Sequence, residues 1–135
     1  MDKALNYLAL ARKAGFAELG EEPVGGAARA GKAYVILVAK DASDHTWRRS
    51  LSFAAGTEQQ CIRLPYTKDE MGLAIGRTAL AVAAITDVAL ALALVNSLPQ
   101  PPAAAVEVLS TKAQKAKRRK AEAKAHKVNV RKGKK

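Results

Sequence analysis

GEEPVGGAARAGKAYVILVA, residues 20–39, decides the fold. Its second half, AYVILVA (33–39), is a continuous β-branched run, the pattern of a strand buried on both faces. Its first half holds Gly20, Gly25, Gly26 and Gly31 among small residues, which suits either a phosphate-cradling loop or a helix with few side chains. The Walker loop needs Lys and Ser or Thr after G-x-x-x-x-G, and here Gly26 and Ala27 follow Gly25. Glu21 and Glu22 would repel phosphate. The segment therefore reads as a helix ending at Gly31 and feeding a central strand.

The neighbouring segments extend the same alternation. Leu5, Leu8 and Ala9 form the stripe of a first helix, residues 3–13, with Asp2 as its expected cap and Gly15 as its stop. Residues 16–19 read as a short extended piece. A helix from the Ser43 or Asp44 cap to about residue 55, a strand at 60–64 and a capping box opening at Thr67 with Glu70 follow. Residues 80–85 are the next strand. ALALALV (89–95) alternates with period 2, yet Ala and Leu favour helix, so 87–97 reads as a helix that is apolar all round. The predicted architecture is an α/β fold, a three-layer α-β-α sandwich. It is a single domain with a mixed four-stranded sheet, plus a basic C-terminal tail.

Charge divides the chain sharply. Residues 1–105 carry 11 Lys or Arg against 10 Asp or Glu, whereas residues 106–135 carry 12 against 2. The predicted division is a domain at 1–98, a Pro/Ala linker at 99–105 and a basic tail at 106–135. The tail is rich in helix formers but offers no evident apolar stripe, so it is expected to be disordered or partly helical and to order on a polyanion. Its candidate phosphate-binding residues are Lys112, Lys115, Lys117, Arg118, Arg119, Lys120, Lys124, Lys127, Arg131 and Lys132.

Catalytic chemistry has little support in the sequence. His45 lies beside Asp41, Ser43 and Asp44, but those residues occupy a helix start, where Asp and Ser cap. Cys61 is the only cysteine and falls in a predicted strand; with two separated histidines it gives no metal-ligand spacing. No catalytic residue, metal, cofactor or small-molecule substrate is expected. The 17-residue apolar run 79–95 is broken by Thr86 and Asp87, which argues against a membrane span. The opening MDKALNYLALARKAG lacks a secretory apolar core, so the cytoplasm is the expected compartment.

Five stretches carry a family pattern: LALARKAG (8–15), GEEPV (20–24), ARAGKAYVILVAKDAS (28–43), TKDEMGLAIGR (67–77) and ALAVAAITD (79–87). In this order they resemble the YlxQ-like bacterial branch of the ribosomal protein superfamily that binds kink-turn RNA, the L-seven-Ae type. The likeness spans about residues 3–97. It implies the same three-layer sandwich and a non-enzymatic RNA-binding module of translation or ribosome assembly. It also implies recognition by the start of the second helix and the nearby loops. That helix commonly begins Gly-x-Asn-Glu in the family, with a Lys farther on. The helix here opens Gly20-Glu21, and Glu22, Pro23 and Gly26 stand at the Asn, Glu and Lys positions. Lys40 and Ser43 match the loop after the central strand. Leu64, Pro65 and Tyr66 match an apolar loop able to pack against a base or sugar, and Thr67 and Lys68 are kept. RNA is the expected partner, with a ribosomal protein as a further one. Docking through the apolar last helix and non-specific DNA binding by the tail are the alternatives.

Overall fold

The computed structural model describes the backbone of residues 2–133 and the side chains of residues 2–125. The elements follow in the order α1 (Lys3–Ala14), β1 (Ala17–Leu19), α2 (Glu21–Arg29), β2 (Val35–Val38), α3 (Asp44–Ala54), β3 (Gln60–Arg63), α4 (Lys68–Ala74), β4 (Val82–Ile85), α5 (Val88–Asn96) and α6 (Ala103–Gly133). The strands form one sheet in the order β1-β4-β2-β3. β4 is antiparallel to both β1 and β2, and β2 is parallel to β3. This is the mixed four-stranded sheet expected from the sequence.

Every residue of β2 (VILV) and of β4 (VAAI) is buried, as continuous apolar strands between two helical layers must be. α2 and α3 pack on one face of the sheet, and α1, α4, α5 and α6 lie on the other side. Ser43 caps α3 by accepting the Thr46 N–H, and Thr67 and Glu70 complete the capping box of α4. Asp87 caps α5 by accepting the Leu90 N–H. Asp2 is the N-cap of α1 but makes no capping hydrogen bond with its side chain. Gly72 lies under the α4–β4 connection: a Cβ there would sit 2.7 Å from the backbone N and Cα of Ala79.

The C-terminal region departs most from expectation. α6 begins at Ala103, inside the segment read as a linker, and its first turns pack on α5. Ala105 and Leu109 are buried, and Val106 packs against the core. These residues form the apolar stripe that was not evident among the lysines and alanines. The stripe supplies the costly first turns, and the Ala, Lys, Glu and Arg that follow propagate a helix once it is nucleated. The tail, expected as disordered or partly helical, is thus continuous with a docked helix. α5, apolar all round, is covered by α1 on one side and α6 on another. The exposed apolar face that motivated protein docking is therefore largely used within the fold.

Candidate nucleic-acid interface

Strand register sorts the candidate residues into two ends of the sheet. Leu19 pairs with Ala83, and Val38 pairs with both Val82 and Arg63, so the ends of β1, β2 and β3 lie beside the start of β4. We refer to this as the upper end. Backbone hydrogen bonds draw the following loops together there: Gly20 N–H to Val82 O, Lys40 N–H to Tyr66 O, and Leu80 N–H to Lys68 O. The positions matched to the family's recognition loops thus converge in space.

Their side chains, however, largely serve one another. Gly20 caps α2 with φ 96°, a conformation that favours glycine. Glu21 accepts the Thr46 hydroxyl at 2.6 Å and pairs with Arg49 at 3.5 Å; Glu22 approaches the same guanidinium at 3.8 Å. Ser43 is engaged with Thr46 through both its oxygen and its hydroxyl hydrogen. Asp41 accepts the Lys68 N–H at 2.8 Å. Pro23 occupies the first turn of α2, where its missing N–H costs nothing. The carboxylates of Glu21, Glu22, Asp41, Asp44, Asp69 and Glu70 share this end with Lys40, Arg48, Arg49, Arg63 and Lys68, so it has no cationic excess.

The apolar loop is also not the surface that was expected. Leu64 and Tyr66 are buried, and only Pro65 of the three is exposed. Backbone pairing explains this: Leu64 continues β3 by donating its N–H to Val38 O, and the Tyr66 carbonyl accepts the Lys40 N–H, which holds the loop against the end of β2. The Tyr66 hydroxyl is buried beside the Asp2 carboxylate and makes no well-formed hydrogen bond among the described residues. Burial, reinforced by Asp2 and Glu70, pushes its pKa up to about 12. Burial likewise raises the Cys61 thiol to about 11, which keeps it protonated at neutral pH.

The lower end holds the starts of β2 and β3. α6 crosses the molecule from the upper end, where Leu98, Pro99 and Pro102 lie near Lys40 and Arg63, to this lower end. There Lys112 pairs with Glu58 at 3.1 Å. The hydrogen bond and charge of Lys112 hold the Glu58 carboxyl below its ordinary pKa, with a smaller pull from Lys115. Lys115, Lys117, Arg118, Arg119, Lys120 and Lys124 continue along the exposed part of α6. Lys127, Arg131 and Lys132 lie on residues whose side chains are outside the described ones.

The glycine pair within α2 divides in role. A Cβ on Gly25 would meet the Phe53 ring at 2.9 Å, so Gly25 lets α3 approach. Gly26 has open space around it and lines a cleft of about 680 Å³ with Phe16, Ala27, Ala30 and Tyr34. Gly31, at the end of α2, joins this cleft to a second one bordered by Arg29, Lys112, Lys115 and Arg119. Sequence reading did not single out Phe16, Arg29 or Tyr34. The spacing of Lys112, Lys115 and Arg119 was readable as a helical stripe, but which way it faced was not.

No family model and no curated protein matches the chain. Solved structures do share its fold. A protein of unknown function from Bacillus halodurans superposes with a TM-score of 0.69 at 24% identity, covering 74% of this chain and 100% of that one. The Giardia lamblia 15.5 kD RNA-binding protein superposes with a TM-score of 0.59 at 17% identity, covering 81% of this chain and 83% of that one. At these identities the likeness establishes the α/β fold. Among the described residues, no helix is long and apolar enough to cross a membrane.

Proposed function

We propose that this chain is a non-enzymatic RNA-binding protein of the translation or ribosome-assembly machinery, acting in the cytoplasm. The observation that carries this reading is α6. Residues 112–124 place seven Lys or Arg against one Glu on a helix anchored to a body of balanced charge. Such a concentration of cations gains affinity by releasing counterions from a phosphate backbone. The fold it is anchored to is shared with an RNA-binding protein. The residues that first suggested catalysis have structural work: Ser43 caps α3, and Asp41 holds the Lys68 amide.

Fluorescence anisotropy with a structured ribosomal RNA fragment tests the reading, with duplex DNA as competitor. The expected result is binding with a steep salt dependence and RNA favoured over DNA. Absence of RNA binding at low salt would overturn it. Equal competition by duplex DNA would reassign the protein to nucleic acids in general.

A further inference from the structure

α6 presents one unbroken stripe to the body. Ala105 and Leu109 bury its start, and Lys112, Lys115 and Arg119 continue the stripe at helical spacing as the helix passes the lower end. These three cations, with Arg29 from α2, border a single cleft lined also by Gly31, Thr57, Gln59 and Glu58; the one carboxylate is paired with Lys112, which leaves four cations against one anion. The end of α2 would ordinarily repel an anion through its free carbonyls. Here the Gln59 amide donates to Ala28 O, and the Gly31 and Lys32 N–H groups donate to Ala28 O and Ala27 O. The Ala27 and Ala28 carbonyls are thus occupied, and Arg29 and Lys32 add positive charge around the helix end.

Across Gly31, the second cleft is of another character. Ala17 and Val35 both pair with Ile85, so Phe16 and Tyr34 flank Thr86 from opposite sides of β4. The Thr86 N–H donates to Phe16 O, and the Tyr34 N–H donates to Ile85 O, which fixes both aromatic residues at the sheet end. Phe16 is 41% exposed, uncommon for its size. The small residues Gly26, Ala27 and Ala30 of α2 leave the space beside the rings open. Its volume of about 680 Å³ falls in the range of clefts that hold small organic groups.

A cationic channel beside an aromatic platform is the combination that binds single-stranded nucleic acid, with phosphates on the cations and bases stacked on the rings. We propose that the lower end is a single-stranded RNA site. The strand's phosphates lie along Arg29, Lys115 and Arg119, and a base enters the Phe16–Tyr34 cleft. This rests on the RNA-binding reading and places the contact opposite the loops that the family resemblance indicates.

The test uses the full chain and a labelled oligouridylate of about fifteen nucleotides, within the span of known single-strand sites. The combined Arg29→Ala, Lys115→Ala and Arg119→Ala variant is expected to flatten the log–log salt slope by about 2, at roughly 0.7 per lost contact. Phe16→Ala is expected to weaken binding about tenfold with the slope unchanged, because a neutral ring releases no counterions, and Phe16→Trp to retain affinity, because it keeps a stacking surface. Phe16 is exposed enough that its replacement should leave the circular dichroism spectrum intact, which separates lost stacking from lost folding. Oligouridylate binding that ignores both sets of substitutions would overturn the lower-end site while leaving RNA binding in place. Binding only to duplex RNA would overturn the single-strand assignment. Failure to bind any RNA would overturn the broader reading as well.

Discussion

The upper and lower ends of the sheet are built from the same strands but treat charge in opposite ways. At the upper end, Glu21, Ser43, Thr46 and Arg49 satisfy one another, and the Asp41 carboxylate caps the Lys68 amide. At the lower end, Glu58 pairs with Lys112 and feels Lys115 more weakly, and the cleft it shares with Lys112, Lys115, Arg119 and Arg29 keeps a cationic excess, with Lys32 and Glu18 lining the adjoining one. A charge already paired within the fold must break that pair to meet a phosphate, whereas an uncompensated stripe gains from the encounter. The contrast shows that convergence of loops and availability for binding are separate properties.

The contrast breaks most visibly if α6 is shortened. Removing residues 113–135 deletes 11 of the 23 Lys and Arg but keeps Leu109 and the Lys112–Glu58 pair. RNA affinity at about 0.1 M salt is expected to fall by roughly a hundredfold or more, with a much shallower salt slope. Anisotropy titrations at several salt concentrations would show it. Cutting at residue 106 is a poorer experiment, because it also strips the core of Leu109.

Leu109→Ala probes the anchor. It is expected to destabilise the fold by about 2–5 kcal/mol, the usual cost of emptying a fully buried leucine site. Urea denaturation followed by circular dichroism measures it. Gly72→Ala should cost about 1–3 kcal/mol, since the added methyl meets rigid backbone. Gly25→Ala should cost less, because the Phe53 ring can yield.

The sheet was legible in the sequence because AYVILVA and ALAVAAI are apolar runs too short for buried helices and closed by turn residues. The caps at Ser43, Thr67 and Asp87 were legible because each acts within three residues of itself. What could not be read was long-range. Glu21 meets Thr46 across 25 residues, and Leu64 and Tyr66 are buried by contacts that local spacing does not encode. The docking of α6 was obscured by its composition: Ala105, Val106 and Leu109 are an ordinary apolar stripe, hidden by the lysines that follow.

Smaller effects sharpen the upper end. Burial, with Asp2 and Glu70, pushes the Tyr66 pKa up to about 12 in the fold from its ordinary 10.0. Between those values the unfolded chain releases the proton first, so stability falls as pH rises through the window. Tyr66→Phe should lack that decline, as alkaline melting curves would reveal. Thr46→Ala should cost about 1 kcal/mol by leaving Glu21 without its hydroxyl donor. Joint replacement of Lys40 and Lys68 by alanine should change RNA affinity least, by less than about twofold, because their end of the molecule carries no cationic excess.

The central claim is that RNA meets the lower end and α6 rather than the converged upper loops. Amide chemical-shift mapping during an RNA titration tests it directly. The account predicts perturbations at residues 15–16, 29–34, 57–59 and along 112–125, with little change at 20–22, 40–43 and 64–68. Perturbations concentrated in the latter three segments, with the lower end silent, would contradict it.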